Sequence, residues 1–549
     1  MKAKSGRDAV LEVLRTEGVR HVFGNPGSTE LPFIDALATA PDIHYVLALQ
    51  EATVVAMADG YAQATGRPAF MNLHTSAGLG NAIGNLTNAQ ANRSPLVVTA
   101  GQQDWRHLYA DPLLGGDLVA IAAPVSKWAH EVRTLAELPI MLRRAFHDAA
   151  AAPAGPVFLS LPMSLLDAEG EVEVPPPSRI ERRTVPTADV LGTLAELISS
   201  TEPGRLAFVA GDEVAAYGAV GALVAVAERL GVAVHPAPLN ANAVFPPSHP
   251  CFAGPLPPAA AGIRAVLSRY ERIVFVGGRA FMVYPYTDGS PLPDDIGFVH
   301  ISADISQIGR TYATELGICA DPRSTLEALL DLLPDRHDLL EKRRAARAAE
   351  IDNLEATARE RYGPAPLDPM AAAHALVRAV PPDTIVVDEA ITTGVYVRGF
   401  HHWTVPGRYF FAEGGGLGWG MPAALGVCLA HDRTLPVLSV VGDGSAMYSP
   451  QALWTAAHEQ LPVVFAVVNN RQYLILKNNL RGMKGDAVES GRFIGLDLDD
   501  PPIDYVGLAR SLGVEARLID DANDIGDAVK AALASGRPHL LEIPISAPA

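Results

Sequence analysis

The stretch from Val437 to Tyr473 constrains the possible fold more than any other part of the chain. Its sequence is VLSVVGDGSAMYSPQALWTAAHEQLPVVFAVVNNRQY. The pattern predicts a buried strand over Val437–Val441, a helix over Gln451–Glu459 and a second buried strand over Val463–Val468. A strand–helix–strand crossover is right-handed and makes its two strands parallel, so both strands end at the same edge of the sheet. The stretch therefore predicts a parallel α/β sheet.

Polar residues follow both of these predicted strands. Asp443 lies in the turn Gly-Asp-Gly-Ser that ends at Ser445, and Asn470 follows the second strand. Open α/β sheets bind ligands outside the carboxyl ends of their strands, where these side chains would converge. Carboxylate and amide oxygens suit a Mg²⁺ ion that keeps a bound diphosphate in its shell. A tight turn beside an ordinary asparagine is the alternative, but the spacing and the flanking strands favour the magnesium site.

The length of 549 residues is too great for one hydrophobic core and predicts three domains. We place them at residues 1–175, 185–335 and 365–549. Strands alternate with helices in all three, which predicts an α/β fold with doubly wound parallel sheets. The segment Glu171–Arg183 is charged and rich in proline and is expected to be a linker. A charged helix over Ala345–Arg361 is expected to lead into the last domain.

The charge balance narrows the class of partner. The chain has 43 Lys and Arg against 61 Asp and Glu, a net charge of −18. Such a surface argues against nucleic acid and against anionic membranes as partners. The chain starts without a signal-like apolar segment and has no apolar run long enough to span a membrane, so a cytoplasmic protein is expected. The three cysteines have no metal-binding spacing, fit a reducing compartment and are expected to be buried.

Three polar residues follow successive predicted strands of the first domain. They are Ser28, Glu51 and His74. Taken singly, Ser28 could be only a helix cap, Glu51 could only complement a helix dipole, and His74 could be a hydrogen-bonded structural residue. All three would lie at one edge of one sheet, which favours a common site over three unrelated structural roles.

These motifs resemble a known family. The GDGS and NNRQY segments resemble the diphosphate and magnesium motif of the thiamine diphosphate enzymes. The segments VFGNPGSTELPF, LALQEATVVAMADGYAQATGRPAF and NLHTSAGLGNAIGNL resemble the pyrimidine-binding domain of the benzoylformate decarboxylase branch. The resemblance covers essentially the whole chain and implies a pyrimidine-binding, a central and a diphosphate-binding domain.

The resemblance implies thiamine diphosphate and Mg²⁺ as cofactors. The side chains of Asp443 and Asn470 and the backbone carbonyl of Gln472 would bind the metal. Glu51 would hydrogen-bond the pyrimidine ring, and the Gly415 carbonyl would accept the pyrimidine's amino group. Leu417 would hold the cofactor bent. The other implied cofactor contacts are Thr392, Gly442, Gly444, Ser445 and Tyr473.

The resemblance also implies the reaction, which is non-oxidative decarboxylation of a benzoylformate-like 2-keto acid to an aldehyde and CO₂. Ser28 would contact the substrate carboxylate, and His74 would bond the carbonyl oxygen and handle its proton. A carboligase of the acetolactate synthase or aldehyde-lyase type is the main alternative. A flavin-using oxidase and a non-catalytic scaffold of the same fold are further alternatives.

Tyr284 is a departure from the branch. It occupies the position of a second active-site histidine within a similar F-x-x-H-x-Y context. Tyrosine ordinarily has a pKa of about 10 and is a weaker acid than histidine. Either Tyr284 takes part of that catalytic role, or His74 and solvent suffice, or the reaction differs. A packing tyrosine without chemistry is the remaining alternative.

The resemblance also implies the residues that line the substrate pocket. They are Leu113, Leu114, Ile391, Phe411, Ile475, Leu476 and Asn479. Asn479 stands where the branch has a phenylalanine, which weakens the case for an aromatic substrate, whereas the leucine pair and Phe411 support it. Each apolar member could instead be an ordinary core residue.

Family members build the cofactor site between the first domain of one subunit and the third domain of another. The resemblance therefore implies a homo-oligomer of at least two chains, with a dimer of dimers, a homotetramer, as the expected form.

Overall fold

The computed structural model describes residues 2–336 and 338–547. The chain forms two compact units. The first contains the chain up to Ile180, Arg361–Arg398 and everything from Ala412 onward. The second contains Glu181–Glu360 and Gly399–Phe411.

The strands of the described residues, in chain order, are β1 (Lys2–Ser5), β2 (His21–Gly24), β3 (His44–Leu47), β4 (Ala69–Leu73), β5 (Leu96–Gln102), β6 (Ala129–Glu131), β7 (Val157–Pro162), β8 (Glu169–Glu173), β9 (Leu206–Ala210), β10 (Ala233–Pro236), β11 (Arg272–Val276), β12 (Gly297–Ser302), β13 (Leu316–Cys319), β14 (Ile385–Glu389), β15 (Tyr409–Phe411), β16 (Val437–Gly442), β17 (Val463–Asn469), β18 (Glu515–Leu518) and β19 (His539–Pro544).

The α-helices of the same residues are α1 (Gly6–Glu17), α2 (Leu31–Leu37), α3 (Glu51–Thr65), α4 (Thr75–Ala91), α5 (Leu118–Ala122), α6 (Glu137–Ala150), α7 (Met163–Leu166), α8 (Ala188–Ser200), α9 (Glu213–Ala216), α10 (Val220–Leu230), α11 (Ala260–Leu267), α12 (Pro322–Leu330), α13 (Asp338–Glu360), α14 (Pro369–Ala379), α15 (Gly394–Phe400), α16 (Gly420–Ala430), α17 (Asp443–Ala446), α18 (Gln451–His458), α19 (Leu474–Met483), α20 (Asp486–Ser490), α21 (Tyr505–Ser511) and α22 (Ile525–Ala534). Short 3₁₀ helices span Ser28–Glu30, Trp105–Ala110, Ala123–Val125, Pro203–Arg205 and Ala522–Asp524.

The first sheet of the first unit is parallel throughout. Its strands lie in the order β3-β2-β4-β5-β7-β6. Every residue of β4, β5 and β7 is buried, as expected for strands that helices cover on both faces. On one face, α1 and α6 contribute Leu14 and Phe146 to a core that also contains Phe70 of β4.

The second sheet of the first unit contains the strands β14-β16-β17-β19-β18 in parallel order. The strands β16 and β17 pair in register from Val437 with Val463 to Gly442 with Val468. Helix α18 connects them, which confirms the predicted strand–helix–strand unit. Asp443 and Asn470 consequently leave the sheet at one edge.

Helices α3 and α16 join these two halves of the first unit at very short distance. A Cβ at Gly60 would lie 2.3 Å from the Ala423 carbonyl oxygen, and a Cβ at Gly426 would lie 1.9 Å from the Met57 carbonyl oxygen. The indole N–H of Trp419 donates to Asp59 Oδ2 at 2.7 Å, and both side chains are fully buried. The helices can pack this closely only because both crossing points are glycine.

The second unit has its own parallel sheet, in the order β10-β9-β11-β12-β13. The Phe275, Phe281 and Phe298 rings pack together in its core. Strand β15 belongs to this unit, where the Phe411 N–H donates to the Ala241 carbonyl. With the two parallel sheets of the first unit, this sheet gives three α/β sheets of parallel strands, as the sequence predicts. The predicted domain boundaries remain predictions.

Two sequence-based expectations are wrong in part. The segment expected to be a linker from Glu171 begins within β8, which pairs antiparallel with β1 and buries Val172. Its Glu-Gly-Glu-Val-Glu alternation is a strand pattern at the edge of a proline-rich segment. Cys251 and Cys428 are buried as expected, but Cys319 is exposed because it ends the edge strand β13.

Within the described part of the chain, no helix combines the length and the apolar composition needed to cross a membrane.

We predict that Gly426→Ala destabilises the first unit. The added methyl group would meet the Met57 backbone, and overpacking of this kind costs about 1–3 kcal/mol. Thermal unfolding followed by circular dichroism should show a transition several degrees lower than that of the wild type. Gly526→Ala in α22, where no atom lies within 4 Å of the added Cβ, is the matched control and should leave the transition in place.

Candidate active site

The three polar residues predicted at the first sheet follow neighbouring strands. Strand β2 lies between β3 and β4, and Ser28, Glu51 and His74 come after β2, β3 and β4 respectively. Ser28 begins a 3₁₀ helix and is exposed, and its helix is capped by Gly27. Glu51 is the first residue of α3, and His74 caps α4. The predicted grouping at one sheet edge is therefore present, while the catalytic roles remain predictions.

The Glu51 carboxylate is buried, with 8% of the residue exposed. Asn81 of α4 donates from Nδ2 to Glu51 Oε2 at 3.0 Å. Gly78 leaves room for the carboxylate, because a Cβ there would lie 2.8 Å from Oε1. The start of α3 is capped by Gln50, whose Oε1 accepts the N–H of Ala52 at 2.6 Å. The Glu51 carboxylate is thus not needed as the helix cap, although it lies in the first turn of α3, where a carboxylate also complements the helix dipole.

His74 is held by a residue that the sequence analysis missed. Glu30 is fully buried, and its Oε2 lies 2.9 Å from His74 Nδ1. The same carboxylate accepts the N–H groups of Gly27 and Gly101, each at 2.9 Å, and the Thr29 hydroxyl at 2.6 Å. The hydrogen bond to Glu30 raises the pKa of His74 above its ordinary value. Nδ1 is thereby committed to Glu30, and Nε2 is left as the nitrogen that can serve a ligand.

Backbone geometry also constrains His74. The residue after it, Thr75, is fully buried and has φ = +48°. A β-branched residue is rarely found in this left-handed region, and such strain is concentrated at functional sites. A Cβ at Gly27 would lie 2.2 Å from the His74 ring, so the glycine turn packs directly against the imidazole.

The predicted metal ligands lie together at the edge of the second sheet. The Gln472 N–H donates both to Asp443 Oδ2 at 3.2 Å and to Asn470 Oδ1 at 3.1 Å. Burial raises the pKa of Asp443 to about 6, partly opposed by backbone N–H donors. A buried carboxylate and an amide oxygen that share one donor are an arrangement that a divalent cation would stabilise.

Side chains around this edge fix the loop that carries Asp443. The Tyr505 hydroxyl, which the sequence analysis missed, donates to the Asp443 carbonyl oxygen at 2.8 Å. A Cβ at Gly444 would lie 2.4 Å from the Tyr473 ring, so glycine is required there. Ser445 is also buried and lies within the short helix α17.

The glycine-rich segment before α16 also has a defined shape. Gly415 has φ = +72° and Gly418 has φ = +91°. Glu389 at the end of β14 accepts the N–H groups of Gly418, Trp419 and Gly420. Burial raises the pKa of Glu389 to about 7. This carboxylate takes the place of a helix cap, a role that the sequence analysis did not assign.

These residues fit a diphosphate with its magnesium ion. Among the described residues, no cluster of three or more His, Cys, Asp or Glu side chains could hold a metal. A cation at Asp443 would therefore complete its shell with amide, carbonyl and phosphate oxygens, as Mg²⁺ commonly does. The buried Thr393 hydroxyl, next to Thr392, has no hydrogen-bond partner in the described part of the chain and is available to a ligand.

The predicted pocket residues do not all lie in one unit. Tyr284 and Phe411 belong to the second unit, where Phe411 is buried and Tyr284 is 54% exposed. The others belong to the first unit. Leu113 is 84% exposed and Leu476 is 42% exposed, so these two are not core residues. Two more members, Leu114 and Ile391, are each 36% exposed. The last two, Ile475 and Asn479, are half-buried.

The Leu113–Leu114 loop is hydrogen-bonded to residues near the sheet edge that carries Ser28, Glu51 and His74. Ser76, near the start of α4, donates to the Leu114 carbonyl oxygen at 3.4 Å. The Gln103 side chain donates to the Leu113 carbonyl oxygen at 2.8 Å. The loop therefore contacts Ser76, which lies two residues after His74.

Family models match all three parts of the chain. The thiamine pyrophosphate enzyme N-terminal binding domain matches residues 4–119, the central domain matches residues 191–329 and the C-terminal binding domain matches residues 392–543. The chain belongs to the thiamine pyrophosphate (thiamine diphosphate) enzyme family, and thiamine diphosphate is its cofactor.

The individual relatives of the chain include both decarboxylases and an acetolactate synthase. The chain is 36% identical over 545 residues to benzoylformate decarboxylase of Pseudomonas aeruginosa, with 98% of this chain and 99% of the relative covered. It is 28% identical to an acetolactate synthase large subunit, isozyme 3, of Escherichia coli, with 98% and 94% covered. A solved structure of 4-hydroxybenzoylformate decarboxylase from Rhodococcus jostii matches with a TM-score of 0.88, 32% identity and 99% of both chains covered. The chain thus lies among decarboxylases and carboligases of the family.

We predict that Glu30→Gln lowers the pKa of His74. The wild-type carboxylate stabilises the protonated imidazole. Its contribution to the free energy of unfolding is therefore complete below the unfolded pKa of about 6.5, and it is lost as the pH rises through the raised pKa of the folded state. Titration of ¹³C-labelled histidines by NMR should show His74 losing its proton at lower pH in the variant.

Glu137→Gln is the matched control for this titration. Glu137 bonds a different histidine, His130, at 2.6 Å in the same half of the unit. The control should leave the titration of His74 unchanged, and an unchanged His74 in Glu30→Gln would contradict the role of Glu30.

Proposed function

We propose that this protein is a carboxy-lyase that uses thiamine diphosphate and Mg²⁺ to decarboxylate a 2-keto acid, with a benzoylformate-like substrate, to an aldehyde and CO₂. The observation that carries the proposal is the placement of Ser28, Glu51 and His74 after neighbouring strands, with His74 Nδ1 bound to the buried Glu30. The names of the Pseudomonas aeruginosa and Rhodococcus jostii relatives support the same substrate class.

The diphosphate end of the cofactor would be held at the second sheet of the first unit. Asp443, Asn470 and the Gln472 carbonyl would bind Mg²⁺. The backbone around Gly442 and Gly444 and the side chains of Thr392, Ser445 and Tyr473 would complete the site. The Gly415 carbonyl and Leu417 would contact the pyrimidine end.

When bound, thiamine diphosphate supplies the electron sink that makes loss of CO₂ possible. Glu51 would hydrogen-bond the pyrimidine ring from a buried position that Asn81 fixes. Ser28 is exposed at the same edge and would hold the substrate carboxylate. His74 would hydrogen-bond the keto oxygen through Nε2 and hold or return its proton, because its pKa is raised by Glu30.

The pocket would take an apolar substituent on the keto acid. Leu113, Leu114, Ile391, Ile475 and Leu476 supply apolar side chains, four of which are exposed enough to contact a ligand. The aromatic wall that the resemblance implies at Phe411 stays a prediction, since Phe411 belongs to the second unit. Asn479 makes the pocket more polar than that of the benzoylformate branch, which has a phenylalanine at this position. A role of Tyr284 as a hydrogen-bond donor stays a prediction from the resemblance, since Tyr284 belongs to the second unit.

We also propose a cytoplasmic homo-oligomer, at least a dimer and in full a dimer of dimers. The exposed side chains of Leu113 and Leu476 support this assembly, since a partner subunit would shield them.

Carboligation is the second candidate. The match to an acetolactate synthase over 98% of the chain favours it, and so does the replacement of the branch histidine by Tyr284. A tyrosine hydroxyl is a weaker proton donor than a histidine and would deliver its proton more slowly, which would leave an acceptor aldehyde more time to react.

The proposal predicts aldehyde formation from a panel of 2-keto acids, benzoylformate included, only when thiamine diphosphate and Mg²⁺ are both present. Aldehyde release coupled to an alcohol dehydrogenase measures the rate, and chromatography detects hydroxyketones formed with added acceptor aldehyde. Benzaldehyde supports the benzoylformate-like substrate, an aliphatic aldehyde alone reassigns the pocket, and hydroxyketone without free aldehyde favours carboligation. Protein that binds no cofactor would contradict the whole proposal.

Glu51→Gln should reduce kcat by at least about 100-fold. A glutamine amide cannot exchange a proton with the pyrimidine ring as a carboxyl group can. Initial rates at saturating keto acid and cofactor measure the effect. Glu171→Gln, which removes an exposed carboxylate of β8 that forms a surface ion pair with Lys2, is the control and should keep the wild-type rate. Wild-type turnover by Glu51→Gln would overturn the assignment of Glu51.

A further inference from the structure

Four asparagines lie on one face of α4 and its C-cap. Their spacings of four, three and four residues bring them into line along the helix. This asparagine stripe consists of Asn81, Asn85, Asn88 and Asn92. Asn81 binds the Glu51 carboxylate, and Asn85 Nδ2 donates to the Ala52 carbonyl oxygen at 2.8 Å. One end of the stripe therefore fixes the start of α3.

The other end of the stripe binds the glycine-rich segment Glu413–Gly418. Asn88 makes two bonds to the backbone of one residue. Its Oδ1 accepts the Gly416 N–H at 2.9 Å, and its Nδ2 donates to the Gly416 carbonyl oxygen at 2.9 Å. Asn92 Oδ1 accepts the Glu413 N–H at 2.9 Å. Asn88 is fully buried, so both of its bonds to Gly416 are shielded from water.

The stripe is continuous between the two ends. Asn88 Nδ2 also donates to Asn85 Oδ1 at 2.8 Å. Hydrogen bonds consequently run from Ala52 through Asn85 and Asn88 to Gly416. The Asn88 amide uses both of its donor hydrogens and its acceptor oxygen in this series of hydrogen bonds. An apolar side chain of similar volume could not form these bonds.

The segment lies against Asn88 so closely that only glycine fits. A Cβ at Gly414 would lie 2.5 Å from Asn88 Oδ1 and 2.7 Å from its Cα. Gly415, between the two fixed residues, has φ = +72° and open space where a Cβ would be. Beyond Gly416, Glu389 binds the Gly418 N–H. The segment is thus held on both sides of Leu417, and its free surface is at Gly415 and Leu417.

We propose that Asn88 is a positioning residue for the pyrimidine end of the cofactor. It holds the backbone of Gly414–Gly416 in the one shape that presents the Gly415 carbonyl and the Leu417 side chain to the cofactor. The inference rests on the proposed function of that segment. Preorganisation of this kind raises affinity because the segment loses no further freedom on binding.

The experiment compares two ligands on the full-length protein freed of cofactor by dialysis. Thiamine diphosphate and inorganic pyrophosphate, each with Mg²⁺, are titrated by calorimetry into the wild type and Asn88→Ala. We expect the affinity for thiamine diphosphate to fall about tenfold or more, as for two lost buried hydrogen bonds. Pyrophosphate needs only the proposed magnesium site at Asp443. Its affinity for the variant should therefore stay within about twofold of its affinity for the wild type.

The matched control is Thr455→Val. The Thr455 hydroxyl is buried and donates to the Leu47 carbonyl oxygen at 3.0 Å, so it also joins the two halves of the first unit but lies outside the asparagine stripe. This variant should bind both ligands as the wild type does. Equal losses for both ligands in Asn88→Ala, or the same selective loss in Thr455→Val, would mean a general structural role and would overturn the proposal.

A second variant covers the case in which Asn88→Ala does not fold. Gly414→Ala leaves Asn88 intact but pushes the exposed glycine segment away from it, and it should show the same selective loss. Unchanged binding of thiamine diphosphate by Gly414→Ala would contradict the inference. Failure of the wild type itself to bind thiamine diphosphate would instead contradict the proposed function.

Discussion

The close crossing of α3 and α16 organises the first unit. Glycine at positions 60 and 426 lets the two backbones touch, and the buried bond from Trp419 to Asp59 fixes their relative rotation. Helix α3 begins at Glu51, and the glycine segment leads directly into α16, so the crossing sets the distance between Glu51 and the glycine segment of the same chain. Burial raises the pKa of Asp59, and its four hydrogen-bond donors compensate part of the cost of placing a carboxylate there.

Short-range sequence signals are sufficient to predict the parallel sheets and the positions of the main candidate residues after their strands. Valine-rich runs bounded by glycine predicted strands such as β16 and β17, and the crossover rule placed Asp443 and Asn470 at one sheet edge. The same reasoning placed Ser28, Glu51 and His74 after neighbouring strands. These inferences succeed because apolar runs and turn residues act locally, and because parallel sheets leave few possible arrangements.

The supporting residues could not be predicted in the same way. Glu30, Glu389 and Asn88 are buried polar residues whose partners lie far away in the sequence, and hydrophobic periodicity carries no information about such partners. Local hints exist in hindsight. Glu30 follows Gly27 by the three-residue spacing of a capping box, and the asparagines of α4 repeat at helical intervals. The edge strand β8 was missed because its two-residue alternation lies next to prolines.

The first unit is discontinuous along the chain, and this has a consequence for biosynthesis. Gly60 and its partner Ala423 are separated by about 360 residues. At ribosomal rates of about 5–20 residues per second, the apolar surface of α3 waits on the order of 20–70 s for the helix that covers it. During that interval the second unit is completed. The nascent chain therefore carries α3 with its α16-facing side uncovered for most of its synthesis, and the first unit can be completed only after the second unit has been made.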